Sequence, residues 1–168
     1  MSRRANWSLL PRVEPGPVDL HPAEVAAVTL LDAVAEAFRP RFEAKDVTLE
    51  VAAAPDVRVW ADAERSGQVL TNLVANALRF TPAGGRVKLA VYAVGEGWVR
   101  FEVSDTGGGI PQGQLSLVFN RFYRGDQARA QQEGGGSGIG LTLAKQLVER
   151  QGGDIGVSLD ETTTAHDL

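Results

Sequence analysis

The chain has no cysteine and only two histidines among its 168 residues. The first absence excludes disulfides and thiolate metal sites, and the second argues against a histidine-rich metal centre. Positive charge is not in excess either: 17 Lys and Arg stand against 21 Asp and Glu, a net charge of −4. A nucleic acid held by general electrostatics is therefore not expected. No apolar run approaches the ~20 residues that span a bilayer. Met1-Ser2-Arg3-Arg4 is not followed by an apolar stretch of signal-peptide length. The expectation is a cytoplasmic chain without membrane contact of its own, which leaves open whether a parent protein is anchored.

What is present suits one domain with a real core: 43% hydrophobic and 23% charged residues. Residues 1–17 carry Pro11, Pro15, Gly16 and Pro17 and read as a linker or lead-in. Pro22 marks a helix start, and Val28, Leu31, Ala35, Phe38 and Phe42 recur at helical spacing, with Pro40 expected to kink or split the end. Alternation predicts strands at Val47–Val51, Val57–Trp60, Val87–Ala93, Val99–Val103 and Ile155–Leu159, with a hairpin turn at Gly95-Glu96-Gly97. Asp62 is an N-cap for a helix reaching about Phe80, and a third helix runs from near Ser137 to Gly152-Gly153. The fold class expected is α+β: a two-layer sandwich, a mixed sheet of about five strands covered on one face by three helices. The domain is placed at 18–160, with a polar tail at 161–168.

Three segments hold the chemistry. On the second helix Arg65, Gln68, Asn72, Asn76 and Arg79 fall in one stripe at about 100° per residue, opposite Leu70, Leu73, Val74, Ala77 and Leu78. Such a stripe is often only a solvated face, but asparagine is a poor helix former, and two of them four apart mid-helix ask for a reason. Asp105 ends a strand and opens Gly107-Gly108-Gly109. That is a common turn, yet a carboxylate accepts only. It would select adenine, with its amino donor, over guanine, with its oxygen acceptor. Gly134 to Gly140 leads directly into an apolar helix. This is either a flexible loop or a phosphate cradle, because unpaired N–H groups at a helix start attract anions. Ten of the 19 glycines lie between Gly107 and Gly140, around a long stretch (106–136) of the kind that forms lids. Phe119, Phe122 and Tyr123 could tether it. Arg121 and Arg124 are either solvated or positioned to clamp phosphate.

These motifs, in this order and spacing, resemble the N, F and two glycine boxes of the catalytic ATP-binding domain of bacterial sensor histidine kinases, a Bergerat-fold family. The likeness runs from about Val18 to Leu159, and Arg79-Phe80-Thr81-Pro82 is similar to the end of the family's N box. The resemblance implies that Asn76 binds Mg²⁺ with Asn72 beside it, that Arg79 lies near the phosphates and that Phe80 lines the adenine pocket. It implies that Asp105 binds the adenine amino group, with Gly107, Gly109 and Ile110 shaping the pocket. Arg124, and with it Arg121, would reach the γ-phosphate. Gly136, Ser137, Gly138, Ile139, Gly140 and Leu141 would cradle the phosphate chain. The cofactors implied are ATP and Mg²⁺. The partners implied are a helical dimerisation and phosphoacceptor domain and, downstream, a response regulator receiver domain.

Relatives that hydrolyse ATP, and the family's serine kinases, have glutamate where Asn72 stands. A glutamate can take a proton from water or a hydroxyl. An amide cannot, whereas a neutral imidazole needs no base, so Asn72 fits transfer to histidine. Neither His21, before a proline, nor His166, in the polar tail, has the family's acceptor context. Ser66-Gly67 within the second helix and the polar end of the chain depart from the family pattern, the latter leaving the sheet one strand short. The alternatives are a non-catalytic nucleotide-binding module and a hydrolysing ATPase of the same fold.

Overall fold

The computed structural model describes residues 2–9, 19–95, 97–107 and 140–160. Their elements are β1 (Ser2–Leu9), β2 (Ala23–Ala26), α1 (Ala27–Lys45), β3 (Thr48–Ala53), β4 (Arg58–Ala61), α2 (Ala63–Phe80), β5 (Arg86–Val94), β6 (Trp98–Asp105), α3 (Gly140–Arg150) and β7 (Asp154–Asp160). A five-stranded sheet has the order β3-β5-β6-β1-β7, and β2 pairs with β4 in a separate ribbon. Only β3 and β5 run parallel; the other neighbours are antiparallel. The sheet is mixed, and three helices among the described residues accompany it, as the periodicities predict.

The core follows from period two meeting period 3.6. Val87, Leu89 and Val91 of β5 and Val99, Phe101 and Val103 of β6 are buried, while Tyr92 and Arg100, directly opposed, are exposed. Leu31 and Phe42 of α1 and Val69, Leu70 and Val74 of α2 complete the core against this face. Burying one such side chain stabilises by about 1.5–3 kcal/mol.

Four expectations need correction. Ser2–Leu9 is not lead-in but a strand between β6 and β7, with Arg3 opposite both Asp105 and Leu159. Ala5, Trp7 and Leu9 alternate with Asn6 and Ser8 as a strand requires, but the arginines before them and the prolines after them obscure so short a pattern. This strand also fills the main sheet to five, while the segment around Val57–Trp60 goes to the ribbon as β4. The first helix begins at Ala27, not at Pro22, because Ala23–Ala26 pairs with β4. Pro40 does not split α1, which continues through it to Lys45. Pro40 is exposed, so the carbonyl left without its helical donor can turn to water, while buried Phe38 and Phe42 hold the helix on either side.

α2 starts as expected: Asp62 caps it, accepting the Arg65 N–H at 3.0 Å. It stops at Thr81, buried, whose Oγ1 donates to the Ala77 carbonyl at 2.7 Å, just before Pro82.

Candidate functional site

Three chain features bear on the site, and the first two meet at the C-terminal end of α2. The helix buries Val69, Leu70, Leu73, Val74, Ala77 and Leu78 and leaves Asn72, Asn76, Arg79 and Phe80 half-buried. The polar stripe read from the sequence is thus a distinct face. At its end the Arg79 guanidinium carbon lies 5.4 Å from the centroid of the Phe80 ring, a cation–π distance.

Asp105, the last residue of β6, is buried at 4% exposure. Its Oδ1 accepts the Gly107 N–H at 2.8 Å, which bends the chain back on the carboxylate. A Cβ on Gly107 would lie 2.6 Å from the Phe80 carbonyl oxygen and 2.7 Å from Asp105 Oδ1. No other residue fits there, so glycine is what lets the end of β6 press against the last residue of α2. Thr106 fastens the same turn, accepting the Arg86 N–H at 2.9 Å and donating its own N–H to the Arg86 carbonyl at 3.0 Å. Gly85 stands next to it. A Cβ there would run into the Thr81 side chain and lie 3.0 Å from Thr106 Oγ1.

The third feature is the start of α3. Gly140 opens the helix, whose first N–H groups have no intrahelical acceptor. Gly109, Ile110, Arg121, Arg124, Gly136, Ser137, Gly138 and Ile139 lie outside the described residues, as do Phe119 and Phe122. For Leu141 only the helical backbone is described. Among the described candidates, Asp105, Gly107 and Phe80 are brought into contact, and Asn72, Asn76 and Arg79 share the helix face that ends there.

No group of three or more His, Asp or Glu side chains able to hold a metal occurs among the described residues. On the half of the α2 face nearer the site the oxygen donors are the amides of Asn72 and Asn76, while Gln68 Oε1, a turn earlier, accepts from the Arg65 guanidinium at 3.2 Å. Mg²⁺ is commonly held by one or two protein oxygens plus substrate phosphates. The donor set therefore fits a magnesium ion that arrives with a nucleotide.

Two joints escaped local sequence reasoning. At the start of α2, Asp62 also accepts the His21 N–H at 2.8 Å and gives its own N–H to Gln151 Oε1 at 2.9 Å. Gln151, 3% exposed, in turn donates to the Leu147 carbonyl at 3.2 Å, locking the end of α3 to α2. At the other end, Lys45 Nζ donates to the carbonyls of Leu78 at 2.6 Å and Arg79 at 3.0 Å. The only local signal was a lysine in the last turn of α1. Its partners lie more than thirty residues away.

Comparison with known proteins agrees with this fold. The family model for histidine kinase-, DNA gyrase B-, and HSP90-like ATPases matches residues 61–166. The adaptive-response sensory kinase SasA of Synechococcus elongatus is 35% identical over 150 residues, 88% of this chain and 38% of that protein. The signal transduction histidine-protein kinase/phosphatase MprB of Mycolicibacterium smegmatis is 37% identical over 156 residues, 91% of this chain and 29% of that protein. The crystal structure of full-length ShkA in complex with AMPPNP superimposes with a TM-score of 0.72 at 30% identity, covering 84% of this chain and 31% of that one. The chain therefore spans well under half the length of these relatives.

Proposed function

The chain belongs to the histidine kinase-, DNA gyrase B-, and HSP90-like ATPase family, and from that premise we propose that it is the catalytic unit of a two-component sensor kinase. It binds Mg-ATP and passes the γ-phosphate to a histidine on a separate helical dimerisation domain. A receiver domain of a response regulator then takes the phosphate. The observation that carries this reading is Asp105, a buried carboxylate held on a glycine hinge against the end of the asparagine-bearing helix. A buried acceptor at that place discriminates an amino donor from a carbonyl by ~1–3 kcal/mol. ShkA, solved with an adenine nucleotide analogue, supports the choice of base.

Asn76, with Asn72 beside it, would hold the magnesium ion through amide oxygen. The ion would supply charge neutralisation across the phosphate oxygens. Phe80 would flank the base, and Arg79, at the end of the same helix, would face the phosphates. Arg121 and Arg124 are assigned to the γ-phosphate and the glycines from Gly136 to Gly140 to the phosphate chain. Residues 106–136 would act as the lid of a domain that takes in β1 together with residues 18–160. Asn72 has no proton-accepting carboxylate, so the site suits a nucleophile with an open lone pair. The attacking imidazole nitrogen bonds to the γ-phosphorus as the bond to the β–γ bridging oxygen breaks and ADP leaves. The protein contributes positioning and charge stabilisation.

The test is incubation with γ-labelled ATP and candidate dimerisation domains, scoring acid-labile label on the acceptor. Label on a histidine is the expected result. Nucleotide binding without transfer to any acceptor would mark a binding module, and steady phosphate release by the chain alone would mark a hydrolase.

A further inference from the structure

The last turn of α2 carries Arg79 and Phe80, yet its own carbonyls have no partner within the helix. Thr81 serves only Ala77, through both its N–H at 3.1 Å and its hydroxyl at 2.7 Å. The carbonyls of Leu78 and Arg79 are taken instead by one ammonium group, Lys45 Nζ, at 2.6 and 3.0 Å. A cation at this position also meets the negative end of the helix dipole. Lys45 is half-buried, and burial pushes its pKa below the ordinary lysine value. The two carbonyls oppose that shift, since they hydrogen-bond the charged form.

Lys45 is not alone at this seam. The Gly84 N–H donates to the Asp46 carbonyl at 2.6 Å, and the Thr48 N–H to the Gly85 carbonyl at 2.9 Å. Residues 45–48 are thus sewn to residues 78–85 by four hydrogen bonds. Asp46 adopts a left-handed conformation, φ 58°, which turns the chain at the end of α1. From Gly85 the chain passes directly to Arg86, bound to Thr106, whose neighbours are Asp105 and Gly107. Gly107 lies against the Phe80 carbonyl. One connected path therefore links Lys45 to the aromatic, the arginine and the carboxylate of the site.

We infer that Lys45 is a positioning residue of the nucleotide site: it fixes the last turn of α2 and through it the placement of Arg79 and Phe80. The inference rests on the ATP-binding reading above. Without the ammonium, the two carbonyls turn to water or tighten the turn, and the side chains on that turn lose their fixed place.

The test uses the whole chain, with calorimetric affinity for a non-hydrolysable ATP analogue with Mg²⁺ read beside a thermal melt. Lys45→Met is expected to weaken binding about tenfold, the scale of one lost charge-assisted hydrogen bond, at temperatures where the melt shows it folded. Lys45→Arg, which keeps the charge and several donors, restores binding to within about threefold. In an Arg79→Ala background the Lys45→Met effect shrinks, because the residue it positions is gone. A merely structural role predicts instead the same loss in both backgrounds. That result overturns the inference, as does wild-type affinity in folded Lys45→Met. Should Lys45→Met not fold, Lys45→Gln, with a neutral donor, carries the same comparison. If the unmodified chain binds no adenine nucleotide, the functional reading itself fails, and the inference falls with it.

Discussion

The two ends of α2 are finished in different ways. At the N-terminal end Asp62, 5% exposed, is surrounded by protein donors: the N–H groups of His21 and Arg65, with Gln151 closing the joint from α3. At the C-terminal end a single flexible lysine gathers two carbonyls, and the neighbouring strand end approaches through a glycine that tolerates no side chain. The first end is a closed polar joint between elements. The second combines a fixed backbone with half-buried Arg79, Phe80 and Asn76 facing outward. Burial of a carboxylate does not by itself mark a site, since Asp62 and Asp105 are buried alike. What separates them is place: Asp62 ties a helix start to the neighbouring helix, whereas Asp105 ends a strand on a glycine turn beside the half-buried end of α2.

That contrast can be broken most strongly at Asp62. Asp62→Ala removes a helix cap and leaves buried N–H groups without their acceptor, and should destabilise the chain by about 2–4 kcal/mol. Denaturant unfolding measures this, and the affinity of the remaining folded protein for an ATP analogue should stay near wild type. A large affinity loss in that folded fraction would erase the distinction between the two ends.

At the other end, Asp105→Asn should reverse the pattern. ATP-over-GTP preference should fall by about 1–3 kcal/mol, since an amide can donate as well as accept, with the melt moved less. Competition titrations with the two nucleotides decide it; an intact preference would mean the base is read elsewhere. Asn76→Ala should remove the Mg²⁺ dependence of ATP binding, which calorimetry with and without the ion would reveal.

The Asp62 carboxyl sharpens the comparison through pH. Burial pushes its pKa up, but the N–H donors of His21 and Arg65, the charge of Arg65 and the N–H of Glu64 outweigh that and hold it below the ordinary value. A depressed folded-state value stabilises above the unfolded pKa, about 3.9, and that stability is lost as pH falls through the folded one. The stability gap between wild type and Asp62→Asn should therefore be widest near neutral pH, begin to narrow below about pH 4 and close only once pH falls past the depressed folded-state value. The smallest effect expected is at Gly67, where an added Cβ meets nothing within 4 Å. Gly67→Ala should stabilise by about 1 kcal/mol, the helix-propensity difference.

Local patterns made much of this molecule readable. The cap at Asp62, the two-sided α2 and the β5–β6 hairpin follow from residue spacing, and Asp105 with Gly107 announced itself by chemistry at a strand end. What escaped depends on partners distant in the chain. Nothing in Ala23–Ala26 reveals that Val25 will lie opposite Val59, and a proline just before it argued for a helix. The Lys45 and Gln151 joints use side chains to reach backbone groups far along the sequence. The glycines and arginines between Gly108 and Ile139 remain legible only as motif, since the described residues stop on either side of them.

The position of β1 has a consequence for how the protein is made. Arg3 pairs with Leu159 on one side and Asp105 on the other, so β1 emerges from the ribosome before both of the strands that border it. The sheet cannot be completed before β7 has been synthesised, and pairing at such long range is slow. Until β7 emerges, the nascent β1 has one vacant flank, a ready template for a foreign strand.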